Sequence, residues 1–213
     1  MNRRVIIASA LALFATLGSV SVAHAGSNRV DISQNGRANE LAVAQEGHDN
    51  EVVLNQRGRR QYIRTNQNGR RNSIDTRQRG RRNVALSTQA GRYNDTTVRQ
   101  RGRRNDSAVG QYGRGNDTYV SQDGRYNDSS VGQYGNYNDA VVGQTGSDLN
   151  STIVQDGNGN LIGVAQIGSG HDAYASQDGH NNALGIIQVG NNQSADIHQA
   201  GNGNVSLIIQ GGN

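Results

Sequence analysis

The chain has 213 residues, of which 33% are hydrophobic and 4% aromatic, with 29 Gly and no Pro, Cys or Trp. That apolar content is too low for a thick Leu/Phe core, and the lack of Cys excludes a disulfide framework and thiolate metal sites. The formal net charge is +4, but all 21 basic residues are Arg, and seventeen of them fall between Arg57 and Arg125.

Residues 1–25 form a segment of their own. Arg3 and Arg4 precede the apolar run VIIASALALFATLGSVSVA, which ends at Ala23-His24-Ala25. A basic start, an apolar centre and a small-x-small site are the pattern of a secretory signal peptide. The competing reading is a transmembrane anchor; the run is borderline in length for one and rich in Ala and Ser. The expected organisation is a signal peptide over 1–25, a short lead over 26–27 and a repeat domain over 28–213. Without Arg3 and Arg4, 19 Arg stand against 17 Asp plus Glu, so the mature chain is close to neutral.

From residue 28 onward an eleven-residue unit recurs seventeen times without insertion or deletion, a period that signals a repeat architecture. One series is invariant Gln: Gln34, Gln45, Gln56, Gln67, Gln78, Gln89, Gln100, Gln111, Gln122, Gln133, Gln144, Gln155, Gln166, Gln177, Gln188, Gln199 and Gln210. Two residues later stands invariant Gly: Gly36, Gly47, Gly58, Gly69, Gly80, Gly91, Gly102, Gly113, Gly124, Gly135, Gly146, Gly157, Gly168, Gly179, Gly190, Gly201 and Gly212. Six residues before each Gln lies a slot that is usually Asn: Asn28, Asn39, Asn50, Asn72, Asn83, Asn94, Asn105, Asn116, Asn127, Asn138, Asn160, Asn182 and Asn204. Gln61, Leu149, His171 and Gln193 are the exceptions. Such periodicity argues against the disorder that a polar, Gly-rich composition otherwise suggests.

With the Asn slot as position 1, positions 1, 3, 5 and 7 share one face of a strand. Position 3 runs from Val30, Leu41, Val52, Ile63 and Ile74 to smaller residues such as Thr96 and Ser107; position 5 is mostly Val or Ile. The β-branched bias favours strand over helix. Each unit therefore reads as a seven-residue strand and a four-residue turn, with Gly supplying the reversal. An antiparallel meander and a solenoid with a 22-residue rung both fit. The solenoid is favoured, because it stacks like amides about 4.8 Å apart and lets them bond in ladders. The expected fold is all-β: two facing parallel sheets with an amyloid-like cross-β core, in a column about 40 Å tall.

Gln111, Gly113, Asn116 and Gln122, with Thr118 in a small-residue slot, resemble the curlin repeat of bacterial curli fibre subunits, and the likeness extends over about 28–213. The resemblance implies a structural subunit of an extracellular functional amyloid (a fimbrium- or pilus-like fibre) in biofilm matrix and adhesion of a Gram-negative bacterium. It implies as partners the chain itself, other curli subunits and an outer-membrane secretion pore. Only Gly26 and Ser27 stand where the family's major subunit has a Gly/Asn-rich leader, and the Arg content is more like that of a minor, nucleator-type subunit. No capping segment precedes the first unit or follows Gln210, so open edges are expected to template another chain. A capped monomeric or dimeric solenoid is the competing reading.

Arg59, Arg70, Arg81, Arg92, Arg103, Arg114 and Arg125 each follow the invariant Gly and are candidate anion-binding residues toward extracellular DNA or acidic polysaccharide. The plainer reading is that they are gatekeepers of solubility. Arg92, Arg103, Arg114 and Arg125 precede Asp95, Asp106, Asp117 and Asp128 by three residues, which offers partial charge relief. A β-helix enzyme acting on polysaccharide is the contrasting class. It finds no support in the scattered His48, His171, His180 and His198, and no catalytic residue, metal ligand or cofactor is expected.

Overall fold

The computed structural model describes residues 27–212 together with Val20–Ser21; the expected signal peptide otherwise lies outside the described residues. After β1 (Val20–Ser21) come β2 (Arg29–Arg37), β3 (Glu40–His48), β4 (Glu51–Arg59), β5 (Tyr62–Arg70), β6 (Ser73–Arg81), β7 (Val84–Arg92), β8 (Asp95–Arg103) and β9 (Asp106–Arg114). They are followed by β10 (Asp117–Arg125), β11 (Asp128–Asn136), β12 (Asp139–Ser147), β13 (Asn150–Asn158), β14 (Leu161–Ser169), β15 (Asp172–His180), β16 (Ala183–Asn191), β17 (Ser194–Asn202) and β18 (Val205–Gly212). Even-numbered strands make one nine-stranded sheet and odd-numbered strands the other. From β2 onward all pairs are parallel with partners 22 residues apart, as Gln111 beside Gln133 and Val120 beside Val142. The chain is a β-solenoid that crosses from one sheet to the other once per unit.

The strand is longer than the sequence suggested. It covers nine residues, positions 2 to 10, as in Asp117–Arg125. The expected four-residue turn shrinks to positions 11 and 1. Position 11 takes the left-handed conformation in non-glycine residues such as Arg60 (φ 54°), Arg82 (φ 56°), Tyr93 (φ 59°) and Asp148 (φ 56°). Each such residue costs about 1 kcal/mol. The corner repays it in hydrogen bonds. The position-11 N–H donates to a position-10 carbonyl one rung back, as Arg82 N to Arg59 O at 3.0 Å.

The invariant Gly is therefore not the reversal itself. It lies inside the strand at φ values such as 130° for Gly113 and 135° for Gly124. A Cβ on Gly113 would drive far inside contact distance of the carbonyl oxygen of Gly135 on the next rung. The glycine column thus brings backbone against backbone where no side chain fits.

Between the sheets lies a thin core. Ile63, Ile74, Val98, Val120, Val142, Ile153, Ile162 and Ile186 are completely buried. Large residues trade places along the column. Rungs with Ile63 and Ile74 at position 3 carry Thr65 and Thr76 at position 5, and rungs with Ser107 and Ser129 at position 3 carry Val109 and Val131 at position 5. The exchange is local rather than general: Val52 with Leu54 and Leu184 with Ile186 fill both positions with large residues, and Ala85 with Ser87 and Ala173 with Ala175 fill both with small ones.

Candidate functional site

The Gln columns hold the two sheets together. In the even sheet each Gln Nε2 donates to the Gln Oε1 of the next rung, from Gln34 through to Gln210, over 2.8–3.2 Å. In the odd sheet the same chain runs from Gln45 to Gln199. A second donor of the amide crosses to the opposite sheet, as Gln111 Nε2 to Asp95 O at 2.8 Å and Gln122 Nε2 to Asp106 O at 2.7 Å. One side chain therefore bonds upward, downward and across while almost fully buried. Unsatisfied amides here would cost about 1–3 kcal/mol each. A Glu would lack both donors and stack like charges, and an Asn lacks the reach. Thr96 and Thr118 at position 3 join the same network through Gln111 and Gln133.

The Asn column works differently from the amide ladder that its spacing suggested. Asn Oδ1 accepts the backbone N–H of the next Asn in the column, as Asn116 N to Asn94 Oδ1 at 3.1 Å and Asn138 N to Asn116 Oδ1 at 3.0 Å. Its Nδ2 donates to corner carbonyls, as Asn138 Nδ2 to Tyr134 O at 3.1 Å and to Gly157 O at 3.0 Å. Direct amide-to-amide bonds occur from Asn94 to Asn72, Asn182 to Asn160 and Asn204 to Asn182. Gln columns thus tie the sheets, and Asn columns lock the corners. The exceptions test this division. Gln61 and Gln193 keep the donor bond to the carbonyl four residues back, but their Oε1 atoms find no partner among the described residues. His171 reproduces both bonds: Gln193 N donates to Nδ1 at 3.2 Å, and Nε2 meets Ile167 O at 3.2 Å. That pairing requires the neutral imidazole with its proton on Nε2. Leu149 keeps the backbone bonds of the corner, its N–H donating to Asn127 Oδ1 at 3.3 Å, but its side chain offers neither donor nor acceptor.

The seven candidate Arg separate onto two edges. Arg59, Arg81, Arg103 and Arg125 stack in register on the corner that follows the even strands, with Arg37 beneath them. Arg70, Arg92 and Arg114 stack on the opposite corner. Sequence spacing did not single out two further columns beside the first: Arg60, Arg82 and Arg104 at position 11, and Arg57, Arg79 and Arg101 at position 8. Like charge has a visible effect there: the guanidinium groups of Arg104 and Arg60, on the rungs either side, press Arg82 below the usual arginine range.

On the opposite corner the cations have company. Arg70 and Arg71 approach Asp49 at 4.0 and 3.8 Å. Arg71, Tyr93, Arg114 and Tyr137 alternate in a cation–π stack with spacings of 5.5–5.8 Å. The expected relief of Arg92, Arg103, Arg114 and Arg125 by Asp95, Asp106, Asp117 and Asp128 does not take the form of ion pairs; among the described residues none joins those partners within 4.0 Å. The Asp residues instead stack at position 2. Burial, then the next Asp in the column, raises the carboxyls of Asp95, Asp106 and Asp117; burial alone raises that of Asp139.

Compared with known protein families, the chain matches the Curlin associated repeat over residues 27–58, 69–102, 94–124, 120–146, 126–157, 151–179 and 157–190. The chain belongs to the curlin family. Curlin proteins are structural amyloid subunits that form extracellular fibres. Within the repeat domain, the stretches outside the curlin matches, 59–68 and 191–213, contain Gln61 and Gln193, the slots where Gln replaces the corner Asn. No curated protein gives a significant match.

Proposed function

We propose that this curlin is a secreted structural subunit that polymerises end to end into curli-type fibres on the surface of a Gram-negative cell, contributing to biofilm matrix and adhesion. The chain itself and other curli subunits are the partners of this reading, and an outer-membrane pore is its export route. The observation that carries it is the translational identity of the rungs. Each rung offers the next one the same backbone edge, the same Gln acceptor and the same glycine seat. The terminal rungs support it further. Val30, Ile32 and Ile197 are only partly buried, whereas equivalent residues in inner rungs are sealed. In β18 the inward Ser206, Ile208 and Gln210 are likewise only half-buried. Among the described residues, no strand pairs with the outer edges of β2 and β18. Such edges favour addition of another chain.

The test is assembly of the purified protein without its signal peptide. Incubation is expected to give thioflavin-positive fibres with a meridional reflection near 4.7–4.8 Å. A product that stays monomeric in sedimentation overturns the reading.

A further inference from the structure

The edge that follows the even strands is arranged as a binding strip. Its three columns, headed by Arg59, Arg60 and Arg57, run parallel to the solenoid axis. With Arg37 and Arg125 they total eleven guanidinium groups. Arg37 and Arg125 lie four rungs apart, about 19 Å at the usual strand spacing. Eleven charges over that length is one per about 1.7 Å, the linear charge density of the phosphates of duplex DNA. Arg101 meets Asp123 at 4.0 Å, and Arg104 donates to the Tyr126 hydroxyl at 2.8 Å. Arg59, Arg60, Arg81, Arg82 and Arg103 have no carboxylate within 4.0 Å among the described residues. A chain that only needed solubility would scatter such charges or pair them, as Arg70 and Arg71 are paired with Asp49 on the other corner.

We propose that this strip binds the phosphodiester backbone of nucleic acid, laid along the solenoid axis without regard to base sequence. Guanidinium forks match phosphate oxygens in bidentate geometry. Columns one strand spacing apart give a continuous track rather than a single anion site. A polyuronate carries one carboxylate per sugar ring and matches the charge density less well. Tyr126, beside Arg104, and Tyr119, beside Arg99, add aromatic surface along the same side. The proposal goes beyond fibre formation, because the strip is complete within one chain.

The test compares two matched triple variants of the full mature chain, Arg59→Gln/Arg81→Gln/Arg103→Gln and Arg70→Gln/Arg92→Gln/Arg114→Gln. Each removes three position-10 charges, one set from each corner. Binding of a fluorescent 30-base-pair duplex of arbitrary sequence is followed by anisotropy from 50 to 200 mM salt. Circular dichroism verifies that both variants keep their strands. The unmodified protein is expected to lose about 10³-fold in affinity over that salt range, as six neutralised phosphates require. The first variant is expected to bind at least ~30-fold more weakly at 100 mM salt, with the log–log salt slope shallower by about 3. The second is expected to change less than ~3-fold. Equal losses from both variants would mean diffuse attraction to a basic rod and overturn the strip. Absence of duplex binding overturns it too, as does displacement of the duplex by a polyuronate at a lower concentration of charge than by unlabelled DNA.

Discussion

Strands β4, β6 and β8 and strands β14, β16 and β18 belong to one sheet, yet they present opposite exteriors. At position 8 the first group carries Arg57, Arg79 and Arg101; the second carries Ile167, Val189 and Gly211. At position 6, Asn55, Arg77 and Arg99 give way to Ala165, Ile187 and Ile209. At position 2, Glu51, Ser73 and Asp95 give way to Leu161, Ala183 and Val205. Units 160–170, 182–192 and 204–213 carry no charged side chain. Inside, the two groups are alike: Gln56, Gln78 and Gln100 and Gln166, Gln188 and Gln210 belong to one continuous column. Stacking chooses the inside, because each residue must fit a copy of its own environment one rung away. Nothing comparable constrains the outside, so charge and apolarity can be distributed there as function requires.

The strongest test of that separation is the glycine column. Gly80 lies under Gly102 in the basic rungs, and Gly146 under Gly168 nearer the uncharged ones; both have φ values that L-residues avoid, 130° and 141°. Gly80→Ala and Gly146→Ala would each force a methyl into the next rung's carbonyl. Each is expected to cost about 4 kcal/mol or more, in the range reserved for overpacking combined with backbone strain. Local opening free energies from hydrogen exchange should fall by the same amount, within about 1 kcal/mol, in the two regions. A cost confined to one region would show that the exterior governs stacking after all.

Much of this interior was legible in the sequence, and the reasons for the rest are specific. Seventeen identical Gln at constant spacing leave few alternatives to a stacked column. The two-sheet solenoid followed from them together with the alternation of Val and Ile. The corner was harder. Gly113 looked like the turn because glycine suits turns, whereas the left-handed residue is position 11, where Gly115, Gly159, Gly170 and Gly203 are a minority among Arg, Tyr, Asp, Asn and Ala38. The Asn slot looked like a second ladder because nothing in an Asn column says whether the acceptor serves a side chain or a backbone N–H. His171 held a clue: imidazole can copy one acceptor and one donor at a corner but cannot continue an amide ladder. The Arg strip was half visible. Position 10 was evident, but positions 8 and 11 join it only once alternate corners are known to fall on opposite edges.

A smaller expected effect concerns the position-2 column of the same sheet, which reads Asp95, Asp117, Asp139 and then Leu161, Ala183, Val205. Burial and the neighbouring Asp139 raise the Asp117 carboxyl, so the folded state favours the protonated form. The stabilisation is complete below the ordinary carboxylate range near pH 4 and is lost as pH rises through the raised value. Strands β8, β10 and β12 should therefore open more readily at pH 7 than at pH 4, while β14, β16 and β18, which carry no charged side chain, should change less. Asp117→Asn should protect β8 to β12 at pH 7 and converge with the parent protein in acid. Hydrogen exchange at the two pH values, corrected for intrinsic rates, reads both. A variant no better protected at pH 7 would mean that solvent screens the column fully.

The smallest expected effect distinguishes the two exteriors by salt. Arg82 sits between Arg60 and Arg104 with like charge on both sides. Removing it as Arg82→Gln relieves two repulsive neighbours without touching the Gln column, and Gln tolerates an exposed corner. Rungs β4 to β8 should gain protection at low ionic strength. The gain should vanish once the Debye length falls to about 3 Å near 1 M salt, shorter than the rung spacing. Rungs β14 to β18 should respond to neither change. Were Arg82→Gln to weaken the basic rungs instead, the arginine stem would be contributing packing across the corner, as long basic side chains often do. The Arg columns would then belong to the architecture as well as to the charged surface.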